Sequence, residues 1–170
     1  MRKLPLIASL IGSFAFPLCA NAVNELYIET GLGVSQYGSD LSGSTLNDTS
    51  ISPSVKVLIG SRLTQSGHIW YELMYNYNGK VSYANSTIDL TTHAISTGIK
   101  LTTNPGNDLS TFVRGGIGKM FFKASVVAGE DDNINKNQYY YGAGISYRFS
   151  NKHAINLEYQ NFAVPDVDAG

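Results

Sequence analysis

Cysteine is nearly absent from this chain: Cys19 is the only one in 170 residues. With no second thiol, no disulfide can brace the fold from within, and thiolate chemistry could rest on that residue alone. Charge is also scarce, at 15% of residues. No basic cluster exists that could neutralise a row of phosphates, which excludes nucleic acid as a partner. Long apolar runs are missing too. The longest, residues 4–18, falls short of the ~20 residues a helix needs to cross a bilayer, and helical spacing is not sustained anywhere. Any residence in a membrane must therefore come from strands.

That one apolar run has the anatomy of an export leader. Met1-Arg2-Lys3 supplies a positive start, residues 4–18 a charge-free stretch, and Ala20-Asn21-Ala22 a small-x-small cleavage site. Cutting after Ala22 discards Cys19. A lipid-carrying cysteine usually follows Gly or Ala, whereas Cys19 follows Leu18, so a lipoprotein is disfavoured. The expected organisation is a signal peptide over 1–22 and one domain over 23–170. Loss of Arg2 and Lys3 moves the formal charge from the whole chain's -1 to a mild acidity that specifies no partner.

What the chain does have is 17 glycines, 11 tyrosines and a repeated alternation of apolar and small or polar residues, in blocks of the length a tilted strand needs to span a bilayer. In the first block Leu26, Ile28, Thr30, Leu32 and Val34 share one face, with Tyr27, Glu29, Gly31, Gly33 and Ser35 on the other. The second sets Val55, Val57, Ile59 and Leu63 against Lys56, Leu58, Gly60 and Arg62. The third sets Ile69, Tyr71, Leu73, Tyr75 and Tyr77 against His68, Trp70, Glu72, Met74 and Asn76. In the fourth, His93, Ile95, Thr97, Ile99 and Leu101 oppose Thr92, Ala94, Ser96, Gly98 and Lys100. The fifth opposes Val113, Gly115, Ile117 and Phe121 to Phe112, Arg114, Gly116, Gly118 and Met120. Lys119 interrupts its apolar face near a strand end, where the amine can reach the headgroups. The sixth sets Tyr139, Tyr141, Ala143, Ile145, Tyr147 and Phe149 against Tyr140, Gly142, Gly144, Ser146 and Arg148, and the seventh Ile155, Leu157 and Tyr159 against Asn156, Glu158 and Gln160.

Long polar connections (37–53, 78–89, 123–138) alternate with short turns (64–67, 104–108, 150–153), as expected of a barrel with extended external loops and tight periplasmic turns. Glu29, Lys56, Arg62, Glu72, Lys100, Arg114, Arg148 and Glu158 all fall on the glycine-bearing face. In a membrane barrel that face looks inward, so these charges are expected to form a network in the lumen, with Arg62, Lys100 and Arg148 as its lower ring. Aromatic residues sit at the ends of the apolar face: Tyr75, Tyr77, Phe121, Tyr139, Tyr141 and Tyr159 at one edge, Tyr147 and Phe149 at the other. They read as two interfacial girdles. The expected fold class is all-β, an antiparallel up-and-down transmembrane barrel of the eight-stranded type. Only seven strands are counted, because residues 164–170 read as the start of a further external loop. That expectation implies a fragment or truncated frame, and a gap between the first and last strands.

Residues 26–34, Phe112-Val113-Arg114-Gly115-Gly116-Ile117-Gly118 and the run from Tyr141 to Phe149 resemble the small eight-stranded outer-membrane proteins typified by OmpA, OmpX and Ail. The chain is also similar to the accessory colonisation factor A group. The resemblance implies an outer-membrane location and a non-enzymatic role in envelope structure, surface interaction or adhesion and colonisation through external loops. The implied partners are outer-membrane lipid and lipopolysaccharide, the barrel-assembly machinery and host-surface molecules. The alternatives are a narrow pore, a lipid-modifying enzyme and a soluble periplasmic binding barrel. Trp70, Tyr140, Met74 and Met120 on the charge-bearing face argue for a filled lumen rather than a pore.

Residues able to carry catalysis are few. His68 and His153 fall at short turns and His93 on the lipid face, none beside an expected nucleophile. Glu130-Asp131-Asp132-Asn133 lacks the spacing of a calcium loop. Gly115-Gly116-Ile117-Gly118-Lys119 continues into Met120 within a strand and is no phosphate loop. No catalytic residue, metal site or cofactor is expected.

Overall fold

The computed structural model describes residues 6–18, 26–38, 50–83, 88–103, 107–126, 132–150 and 153–163. Eight antiparallel strands, β1 (Leu6–Leu18), β2 (Leu26–Gly38), β3 (Ser50–Arg62), β4 (Ile69–Tyr83), β5 (Ile88–Thr102), β6 (Leu109–Val126), β7 (Asp132–Ser150) and β8 (His153–Ala163), pair in chain order, and β8 closes on β1. Each hydrogen-bonds its sequence neighbours, so no backbone edge faces lipid.

The expected gap between first and last strands is therefore corrected. Leu6–Leu18, read as part of a leader, occupies the eighth wall position and pairs with β2 from Leu6↔Gly38 to Leu18↔Leu26 and with β8 from Ile7↔Phe162 to Ala15↔Ala154. The segment can do this because a lumen filled by side chains accepts apolar as well as small polar residues inward, while lipid accepts apolar ones outward. Ile11 and Ser13 are buried in the lumen while Leu10 is half exposed. The proposed cleavage site and residues 164–170 lie outside the described residues.

The ladders also fix the tilt. Following paired residues from Tyr147 on β7 through Ile155, Phe14, Thr30, Val57, Tyr75, Ile95 and Lys119 returns the path to β7 at Asn137, ten residues from its start. A stagger of this size in an eight-stranded sheet corresponds to a strand tilt of about 40°, and such a barrel leaves an interior just wide enough for side chains to fill.

Burial is inverted relative to a water-soluble protein. Leu32, Ile117 and Leu157 are 72%, 67% and 56% exposed, while Glu29, Lys56 and Glu72 are fully buried. No helix of the described residues is long and apolar enough to cross a membrane, and the spanning is done by strands.

The three connections expected as long loops are shorter than their polar sequence suggested. β2 and β3 run into the 37–53 stretch from both sides, β4 and β5 leave only 84–87 between them, and β6 and β7 continue pairing to Ala124↔Asp132. Exposed polar side chains appear there, at Lys80, Lys123, Asn133 and Asn135, so the β4–β5 and β6–β7 strands rise as hairpins beyond the apolar band. A Lys80–Asp89 ion pair at 2.7 Å bridges one of them.

Candidate functional site

Inside the barrel, six charged side chains from six strands converge. Glu29 (β2), Lys56 (β3), Glu72 (β4), Lys100 (β5), Arg114 (β6) and Glu158 (β8) all lie on inward positions and are all buried. The register explains why they reach one another. Glu72 lies opposite Gly60 and Gly98, Arg114 opposite Gly142, Glu158 opposite Gly144, and Lys56 opposite Gly31. With no side chain on the neighbouring strand, each long side chain has room to lean across the lumen.

Arg114 stands at the centre. Its Nε lies 3.0 Å from Glu158 Oε1, Nη1 3.3 Å from Glu72 Oε2 and Nη2 3.3 Å from Glu29 Oε2. Only the Glu29 contact is aligned as a hydrogen bond, so the other two act through charge. Lys56 Nζ pairs with Glu158 Oε2 at 2.6 Å and with Glu29. The Ser13 hydroxyl donates to Glu29 Oε1 at 2.6 Å and the Tyr27 hydroxyl to Glu72.

Lys100 sits directly across the ladder from Arg114, a like-charge pairing that ordinarily destabilises a sheet. Aromatic faces ease it. Lys100 Nζ lies 5.0 Å from the Tyr27 ring and 4.6 Å from the Phe112 ring, and Arg114 packs on Phe112 at 4.8 Å. The six groups comprise three carboxylates and three cations, and this balance offsets the cost of burying them.

Apolar and amide layers seal the cluster. Leu58, Met74, Ala94, Met120, Tyr140 and Phe162 form a packed group toward the loop end, with Tyr27 and Trp70 toward the turn end. The Trp70 indole meets Tyr27 edge-on at 5.1 Å and donates to Gly67 O at 2.8 Å. Gln160 reaches Met74 Sδ at 3.3 Å and Gln138 reaches Ser96 at 2.9 Å. The two remaining cations named from sequence sit lower, at the turn end: Arg62 is half-buried and Arg148 exposed. Of the expected lower ring, Lys100 is the member drawn into the centre.

The aromatic positions divide as the alternation implies. Tyr147 and Phe149 are exposed near the turn end, where Phe149 stacks on His153 at 5.8 Å. Tyr75, Phe121, Tyr139, Tyr141 and Tyr159 are exposed on the outer wall toward the loop end. Tyr77 is half-buried, with its ring 5.1 Å from that of His93, whose Nδ1 lies 2.7 Å from the Tyr75 hydroxyl. Ser13 and Tyr27 were not identified from sequence as members of the charge cluster. Tyr27 carried a signal, being an inward aromatic two positions from Glu29.

For catalysis the geometry offers little. His68 Nδ1 contacts Thr102 O at 2.8 Å, and His93 faces the outer wall. His153 Nδ1 lies 2.9 Å from the Ser150 hydroxyl, an exposed contact between residues three apart in the chain. Among the described residues no group of His, Cys, Asp and Glu could hold a metal.

A family model described as an outer membrane protein beta-barrel domain matches residues 6–170. Among solved structures, Neisserial surface protein A aligns over 94% of this chain and 97% of its own, with 9% identity and a TM-score of 0.53. Ail, the attachment invasion locus protein of Yersinia pestis, solved with the heparin analogue sucrose octasulfate, aligns over 95% and 98%, with 11% identity and a TM-score of 0.43. At such identities the first likeness shows the fold alone. No curated protein matches the chain.

Proposed function

The chain belongs to the outer membrane protein β-barrel domain family, and on that premise we propose that it is a non-enzymatic surface protein whose external hairpins engage partners while the barrel anchors them. The observation that carries this reading is the ion cluster around Arg114: a lumen closed by paired, buried charges leaves no continuous path for solutes. What the barrel then presents to the outside is the hairpin ends carried by its strands, and recognition is commonly placed on such segments.

Partners follow from position. The exposed apolar wall meets outer-membrane lipid and lipopolysaccharide, insertion draws on the barrel-assembly machinery, and the hairpins meet host-surface molecules. The leader over 1–22 belongs to the same proposal, as the route to the periplasm. The test is adherence of cells displaying the protein to a host-cell monolayer, compared with cells displaying a version in which residues 124–134 are replaced by a two-residue turn. Adherence should fall while the barrel still migrates as a folded species on unheated gels. Equal adherence by both versions would refute the role given to that hairpin.

A further inference from the structure

The outer wall carries a groove of about 690 Å³ across β4, β5, β6 and β7, with Leu73, Ile95, Ile117, Phe121 and Tyr139 along its sides and the Lys119 amine among them. Its position is informative. Lys119 lies opposite Ile95 on one neighbouring strand and Asn137 on the other. On β6 the outward positions below it include the apolar Ile117 and Val113, and above it, beyond Phe121, Lys123 and the neighbouring Asn133 and Asn135 are polar and exposed. The ammonium therefore stands where the apolar band meets the headgroups, at the end of the barrel that bears the long hairpins. No acidic side chain among the described residues pairs with it. A cation on the lipid face is tolerated at this depth when its amine can reach an anionic headgroup.

We propose that this groove holds one phosphorylated, multiply acylated glycolipid of the outer leaflet, its phosphate on Lys119 Nζ and an acyl chain along Leu73, Ile95 and Ile117. The inference rests on the surface-protein reading, which places the hairpin end outside the cell. Three features fit such an occupant: a single cation at headgroup depth, an apolar channel running from it toward the membrane interior, and Asn137 and Tyr139 beside it as hydrogen-bonding groups for sugar or phosphate oxygens.

The test is native mass spectrometry of the detergent-purified barrel with three probes: bis-phosphorylated hexa-acyl lipid A, the same lipid stripped of phosphate, and phosphatidylglycerol. One molecule of phosphorylated lipid A should remain bound, Lys119→Gln should weaken it roughly tenfold as expected for loss of a charge-assisted contact, and Ile117→Trp, which fills the channel, should remove it. Lys80→Gln, on the hairpin away from the groove, should leave it unchanged. Equal binding by Lys119→Gln, by the dephosphorylated lipid or by phosphatidylglycerol overturns the proposal. Folding of each variant is checked by gel mobility, and Ile117→Phe, a smaller filling side chain, replaces Ile117→Trp if that barrel fails to fold. An epitope inserted within 127–131 separates the two levels of the argument. If antibody on intact cells cannot reach it, the orientation itself fails; if antibody reaches it and lipid A is not held through Lys119, only the lipid site fails.

Discussion

The Ser13 hydroxyl on β1 donates to Glu29 Oε1 across 2.6 Å, so a residue from the segment with leader anatomy completes the surroundings of a carboxylate buried in the lumen. The two roles exclude each other in any one molecule. Cleavage after Ala22, seen as an intact mass of the membrane-inserted protein short by residues 1–22, would remove β1 and leave β2 and β8 without the partner they share here. Ser13→Ala would then leave the mature barrel unchanged. If instead the mass includes Met1 or a residue near it, Leu6–Leu18 is a permanent wall strand, and Ser13→Ala should cost about 1 kcal/mol, the usual worth of one intramolecular hydrogen bond.

Arg114 touches three carboxylates through three different nitrogens. Arg114→Met leaves Glu29, Glu72 and Glu158 facing only Lys56 and Lys100, and stranding buried charge in this way typically costs about 3–5 kcal/mol. Arg114→Lys restores the charge but not the planar fork, so it should recover only part of the loss. Urea titration of the protein in lipid vesicles, followed by gel mobility, gives the ranking wild type, Arg114→Lys, Arg114→Met. Equal midpoints for all three would mean that the cluster is not coupled to stability.

Much of the architecture is legible in the residues themselves. The alternation of β7, with Tyr139, Tyr141, Ala143, Ile145, Tyr147 and Phe149 outward and Gly142 and Gly144 inward, specifies both the strand and its orientation, because each face meets one solvent. Above the apolar band that signal fades. Both faces of the hairpin around Ala124 and Asp132 meet water, so strand pairing continues without any apolar period to mark it. Leu6–Leu18 is ambiguous for a different reason: an apolar leader with Gly12 and Ser13 in it also satisfies the needs of a wall strand. Which charges meet is the least legible feature. It depends on the stagger of the whole circuit, which draws Lys100 to the centre and leaves Arg62 and Arg148 at the rim, and no single strand records that offset.

Gly60 is a position where a missing side chain has a direct consequence. The Tyr27 ring lies over it, and a Cβ there would collide with Cε1 and Cζ. Gly60→Val should push the ring aside and break its bond to Glu72, at a cost of about 1–3 kcal/mol for overpacking. Shortening the ring as Tyr27→Leu in the same molecule should recover part of that loss, because the two residues share one space. The checking measurement is the double-mutant cycle in urea; strictly additive costs would show that the two sites do not communicate.

The filled lumen also predicts electrical silence. Met74, Met120, Tyr140 and Phe162 pack above the ion cluster and Tyr27 and Trp70 below it, so side chains occupy the interior between the two ends. Planar bilayers containing the purified barrel should show no steady open level. A stable conductance step in most insertions would establish a pore and remove the main support for an anchoring role.

The orientation of the faces is open to a chemical test at single residues. Val57, Leu73 and Ile145 project from the middle of the outer wall and are 41%, 51% and 49% exposed, an exposure that in a bilayer is to hydrocarbon. Cysteines placed there one at a time should resist a maleimide confined to water while the protein sits in the membrane, and should react once the barrel is unfolded in denaturant. Cysteines at Lys123 and Asn135, exposed on the β6–β7 hairpin, should label at once in the same preparation, which shows that the reagent is active. Leu73→Lys extends the argument to energy. A lysine near the membrane midplane costs about 2–4 kcal/mol in a barrel, whereas the same substitution on a water-facing sheet would be nearly neutral. A lowered urea midpoint together with protected cysteines means that lipid surrounds the apolar face; ready labelling at all three sites would turn the barrel inside out and remove the physical basis for a charged lumen.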